Sequence, residues 1–168
     1  MDKLELKATL SVDPEGTIEA LAWPFGSADN AGDIITKGAF NFAVTNMPML
    51  FGHAPDDLIG TWNEAKETSE GLVVKGQMHM DRSRVKAVHG LITGGLVSGI
   101  SIGFKTKASS KQGRNRVISA LDLYEISVVR NPAHPRARII SAKSENTAAA
   151  VADIIKRATA ALRKDYLK

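Results

Sequence analysis

The chain has 168 residues, of which 43% are hydrophobic and 24% charged, with no cysteine and a formal net charge of +4. That length suits one domain with a real core, and the missing thiol excludes disulfides, thiolate catalysis and cysteine-ligated zinc. The charge is unevenly placed: residues 143–168 carry six basic and three acidic side chains, which leaves a nearly neutral sixteen and fifteen before them. A body so balanced, without a stripe of mixed basic and aromatic residues, argues against a nucleic-acid partner.

Leu4, Leu6, Ala8, Leu10 and Val12 alternate with polar neighbours and predict a first strand, ended by Asp13-Pro14-Glu15-Gly16. Residues 17–23 resume the extended pattern, so the two predict a hairpin. A loop over residues 26–33 follows, and Ile34 and Ile35 re-enter the core. Residues 37–45 predict a short helix packing Phe40 and Val44, stopped before Pro48. Met49-Leu50-Phe51 predicts a brief strand running into Gly52-His53-Ala54-Pro55-Asp56-Asp57. Residues 58–64 and 71–80 predict two more, the second with Leu72, Val74, Met78 and Met80 on one side. Asp81 or Ser83 can cap a helix carrying Val85, Val88, Leu91 and Ile92, ended by Gly94-Gly95.

The next strand, residues 98–104, is the unusual one. Gly99, Ser101 and Gly103 share a face with Val97, while Ile100, Ile102 and Phe104 share the other. Glycines on both sides of a hydroxyl suggest close approach by another chain, and we read them as clearance for an extended peptide. A polar excursion over 105–116 predicts a mobile loop or hairpin tip. Residues 121–129 predict a strand with Leu123, Glu125 and Ser127 on one face and Tyr124, Ile126 and Val128 on the other. A loop over 130–135 and a short strand over 137–140 close the body. From Glu145, Val151, Ile154, Ile155, Ala158 and Leu162 recur at helical spacing. The expected architecture is α+β: a mostly antiparallel, barrel-like core of about seven strands with two or three flanking helices. It divides into a body over 1–142 and an amphipathic tail over 143–168. No run reaches the ~18 apolar residues of a membrane helix, and the first residues lack a signal-peptide layout, so a cytoplasmic protein with no membrane partner is expected.

Chemistry rests on few groups. His53, His79 and His89 lack the short spacing of zinc ligands, so no metal or other cofactor is expected. His53 stands out because it follows a buried strand on a constrained turn between Gly52 and Pro55. Ser101 is the least obstructed serine, and Glu125 is an ionisable group in an otherwise apolar strand, where a carboxylate needs a partner. Arg130 is one such partner. Gly99-Ile100-Ser101-Ile102-Gly103 also matches the G-x-S-x-G nucleophile elbow, with Glu125 and His134 in the matching chain order. An elbow, however, needs a helix directly after the serine, and Lys105-Thr106-Lys107-Ala108-Ser109-Ser110 does not supply one. The elbow is rejected.

Four blocks together resemble the prohead proteases of tailed phages, capsid-maturation serine proteases related to herpesvirus assemblin. They are Asn30-Ala31-Gly32-Asp33-Ile34-Ile35 with Gly38-Ala39-Phe40; Leu50-Phe51-Gly52-His53 with Ile59-Gly60; and, after Gly71-Leu72-Val73-Val74-Lys75-Gly76, Ser98 to Phe104. The last is Leu123-Tyr124-Glu125-Ile126-Ser127-Val128-Val129 with Asn131-Pro132-Ala133. The resemblance implies a herpesvirus-protease-like fold with Ser101 as nucleophile, His53 as base and Glu125 as the acidic third member, while His79, His134, Asp56 and Asp57 compete for that last role. It also implies Arg130 as a support for the oxyanion. The implied substrates are the scaffold segment of the capsid protein precursor and the protease itself, inside the assembling prohead in the host cytoplasm. By the same resemblance the chain works as a homodimer or higher oligomer, and its tail is an assembly handle. A non-catalytic assembly factor and a small serine acyl hydrolase are the alternatives.

Overall fold

The computed structural model describes residues 12–40 and 46–140. The predicted first strand (except Val12) and the C-terminal helix lie outside the described residues. In chain order the elements are β1 (Thr17–Pro24), β2 (Asp33–Ile35), β3 (Met47–Phe51), β4 (Leu58–Glu67), β5 (Gly71–Met78), α1 (Ser83–Thr93), β6 (Gly99–Gln112), β7 (Asn115–Val129) and β8 (Arg138–Ile140). The strands run β7-β3-β4-β5-β1-β8-β6, and a further β6–β7 pairing closes these seven into a barrel. β3 and β2 pair with β7 in parallel, whereas the other pairings are antiparallel, so the barrel is mixed.

β7 organises the closure. β2 lies along Arg116–Ile118 and β3 along Ile126–Val128 of one edge, while β6 occupies the whole of the other. Alternation then sorts the side chains. Ile100 and Ile102 of β6 face Val128 and Ile126 of β7, and all four join the core. Trp62 anchors that wall from within: it is wholly buried, and its indole N–H donates to the Ile126 carbonyl at 3.0 Å. The opposite face of the same two strands carries Ser101, Ser127 and Glu125.

Among the described residues there is one α-helix. It buries Val85, Val88 and Ile92 as its spacing predicts. Its N-cap is Arg82, with no side-chain capping bond, so neither Asp81 nor Ser83 caps it. Its C-terminus follows the glycines: Gly95 at φ +74 donates to the Ile92 carbonyl and Leu96 to the Leu91 carbonyl, the paired bonds of a Schellman motif. Residues 37–40, predicted to begin a helix, form a turn, and residues 41–45 lie outside the described part.

The polar excursion is a hairpin, one of the two forms expected, with strands paired out to Gln112 and Asn115 through register shifts between Thr106 and Ala108 and between Ala108 and Ser109. One expectation about β7 changes. Tyr124 does not share a buried face with Ile126. Gly103 pairs with Glu125 and Phe104 with Leu123, so Tyr124 is the extra residue of a bulge and is 57% exposed.

Candidate active site

Three neighbouring strands bring His53, Ser101 and Glu125 to the outer face of the barrel wall. Glu125 and Ser127 lie two apart on the central strand β7 and so point the same way. Ser101, on β6, stands directly opposite Ser127, and side chains so paired across an antiparallel ladder lie ~5 Å apart at their β-carbons. On the other side, Leu50 of β3 pairs with Ser127 and Phe51 with Val128. Had β3 continued, alternation would have sent His53 to the face opposite Leu50. Instead Gly52 and His53 adopt φ +63 and +61, the Gly52 N–H donates to the Val128 carbonyl, and the Ala54 N–H donates back to Phe51. Two left-handed residues make a tight turn of the I′ kind. It re-aims the imidazole toward β7. A left-handed histidine costs about 1–2 kcal/mol, a strain that the surrounding bonds must hold.

The result is a polar chain. His53 Nδ1 donates to Glu125 Oε1 at 2.5 Å, and the Ser127 hydroxyl donates to Glu125 Oε2 at 2.5 Å. Both carboxylate oxygens are engaged, and neither by Arg130, which is exposed. The His53 side chain is 45% exposed and that of Glu125 16%. With Nδ1 donating, the neutral ring keeps its lone pair on Nε2, the tautomer able to take a proton from an alcohol. Ser101 is nearly buried, at 5% exposure.

The glycines beside Ser101 have a different purpose from the one expected. A β-carbon on Gly103 would lie 2.5 Å from Glu125 Oε1 and 2.9 Å from its Cγ, and one on Gly99 would lie 2.7 Å from Pro132 Cδ. The bare face is filled by the protein's own carboxylate and proline. It is not open clearance for a peptide.

The competing groups are accounted for elsewhere. His134 is buried between Trp23, at a ring distance of 5.2 Å, and the loop before β2. Its Nδ1 accepts the Arg136 N–H, so Nε2 bears the proton and donates to the Ser27 carbonyl. The Ser27 hydroxyl also lies 3.2 Å from Nε2, but that nitrogen holds no lone pair to act as a base. Burial pushes the His134 pKa down. His79 Nε2 meets the Thr61 hydroxyl, and His89 Nε2 donates to the Asp13 carbonyl. Asp57 accepts from Nε and Nη2 of Arg84, which also lies over the Phe51 ring, and Asp56 is exposed. Among the described residues no group of three or more His, Asp or Glu could hold a metal ion, and no helix is long and apolar enough to cross a membrane.

Sequence alone leaves Ser127 out of the site and gives Gly103 only the role of clearance beside Ser101, not that of a neighbour to Glu125. The signal was available, since both share the face of Ser101 or Glu125 by simple alternation, but a serine and a glycine there have bland explanations.

Comparisons with known proteins bear on this barrel and its outer face. The prohead protease of Enterobacteria phage HK97 is 31% identical over 161 residues, covering 91% of this chain and 71% of that protein. The prohead protease of Escherichia phage T5 is 31% identical over 128 residues, covering 71% and 60%. In fold, the chain is similar to the crystal structure of KSHV protease in complex with a hexapeptide phosphonate inhibitor, at a TM-score of 0.51 and 12% identity over 73% of this chain and 63% of that one. The model of the caudovirus prohead serine proteases matches residues 2–151, a span that holds every strand of the barrel together with His53, Ser101, Glu125 and Ser127, and the chain belongs to that family.

Proposed function

We propose that this chain is a serine endopeptidase of prohead maturation, with Ser101 as nucleophile, His53 as base and Glu125 as the group that orients His53. The observation that carries the reading is the hydrogen bond from His53 Nδ1 to Glu125, made beside the strand pair that presents Ser101. His53 Nε2 takes the proton of the Ser101 hydroxyl as Oγ bonds to the peptide carbonyl carbon. It then delivers that proton to the amine as the C–N bond breaks, and water releases the acyl group by the same route. Glu125 fixes the ring tautomer and stabilises the imidazolium that forms. Positioned proton transfer of this kind contributes ~10²–10⁴-fold.

The substrates we propose are the scaffold segment of the capsid protein precursor and the chain itself, met inside the assembling prohead. Family membership supports both that place and that partner. Residues 143–168, with their excess of basic side chains, would serve as the assembly handle, and a homodimer or higher oligomer is the proposed working form.

Incubating the purified chain with its capsid precursor tests this. Ser101→Ala and His53→Ala should each lower the trimming rate on the order of 10³-fold or more, and Glu125→Gln should lower it strongly with the fold retained. Trimming at the wild-type rate by Ser101→Ala or His53→Ala would overturn the catalytic assignment, no trimming by the wild-type chain would favour a non-catalytic assembly role, and fluorophosphonate acylation at another residue would remove Ser101 as nucleophile.

A further inference from the structure

Ser127 is a polar side chain that the mechanism above does not use. It is wholly buried, on the strand that is hydrogen-bonded to β3 on one side and β6 on the other at this residue. Its backbone is therefore held from both sides. Its hydroxyl donates to Glu125 Oε2, while Oε1 of the same carboxylate accepts from His53. Its residue is also the cross-strand partner of Ser101.

A strand glutamate has three side-chain torsions, and its last one is broad and roughly two-fold. One contact to His53, itself 45% exposed, leaves the carboxylate several ways to sit. A second contact, from a donor on a fixed strand, removes that freedom. Gly103 supplies the other boundary, since the carboxylate lies across the place where its β-carbon would be. Hydrogen bonding to a charged carboxylate is also among the stronger kinds.

We propose that Ser127 is a positioning residue of the catalytic apparatus. Its hydroxyl clamps one oxygen of Glu125 so that the other meets His53 Nδ1 with the ring aimed at Ser101. This rests on the assignment of Ser101, His53 and Glu125 made above. A hydroxyl that merely satisfied a buried site would affect stability and leave turnover alone. A clamp affects turnover through Glu125 and leaves binding alone.

The test uses the full chain and a fluorophosphonate probe, reading the limiting rate of inactivation separately from the concentration that half-saturates it. Ser127→Ala should lower the limiting rate by about 10- to 100-fold, the scale of a small misplacement at a reacting centre, with half-saturation unchanged. Ser127→Thr and Ser127→Val, nearly equal in shape but differing in the hydroxyl, keep the test open if alanine disturbs folding; Thr should outpace Val by a similar factor. In a Glu125→Gln background, Ser127→Ala should add little, because the two act as one unit. A wild-type limiting rate in Ser127→Ala, equal rates for Thr and Val, or fully additive losses with Glu125→Gln would each overturn the clamp while Ser101→Ala stays unlabelled. Labelling of Ser101→Ala at the wild-type rate would instead overturn the assignment beneath it.

Discussion

His53 and His134 are held in opposite tautomers, and the difference decides what each can do. The Nδ1 of His53 donates to a carboxylate, which leaves Nε2 as an acceptor; the Nδ1 of His134 accepts a backbone N–H, so Nε2 must donate. His134 has a consequence for stability instead. Burial lowers its pKa in the folded chain below the ordinary 6.5, with Arg136 acting in the same direction and the Ser27 carbonyl against it. Between the two values the unfolded chain binds a proton that the folded chain does not. The stability from this residue is thus fully present above about pH 6.5 and is lost as pH falls through the folded value. Urea midpoints measured from pH 8 to pH 5 should fall more steeply for the wild type than for His134→Gln, and parallel curves would show that His134 does not carry this dependence.

At the scale of elements, β6 and β7 carry the site, and their fit is tight. Gly103→Ala forces a methyl group against the Glu125 carboxylate. It should cost more than about tenfold in activity through misplacement while circular dichroism stays that of the wild type, and full activity would show that the carboxylate can yield. The same elements show what sequence can and cannot reveal. Strands with one face in the core alternate, so β1, β5 and the inner part of β7 were legible, as were His53 at a strand end and Glu125 in an apolar run. How far the outer hairpin stays paired was not, because residues 107–112 of β6 are exposed on both faces and no burial imposes a period there. The bulge at Tyr124 was hidden because alternation assumes unbroken pairing. The missing cap on α1 was hidden because Asp81 and Ser83 both have capping chemistry, and only the backbone shows that Arg82 stands at that position. The glycines were misread because sequence shows absent bulk but not what fills it.

For the whole molecule, the important fact is that the site is assembled by closing the barrel. His53 and Glu125 are 72 positions apart, and they meet because β3 lies parallel beside β7, while β6 on the other edge sets Ser101 opposite Ser127. Trp23 and Trp62 report on the same closure, since both are buried in the single core. Loss of fluorophosphonate labelling in urea should therefore coincide with the tryptophan fluorescence transition, as for a cooperative domain. Labelling lost at clearly lower urea would mean that the outer face comes apart before the barrel does.

The inner stretch of β7 is written in two interleaved frames. Ile126 and Val128 serve the core, while Glu125 and Ser127 serve the outer face. Natural drift can revise either frame without disturbing the other, trading one apolar side chain for another inside or adjusting polarity outside. A change of length has no such freedom, because one residue gained or lost between 125 and 128 exchanges the two frames at once. Relatives should therefore vary in the letters of this segment and in the reach of the β6–β7 hairpin, but not in the count of residues from the acid to the end of the strand.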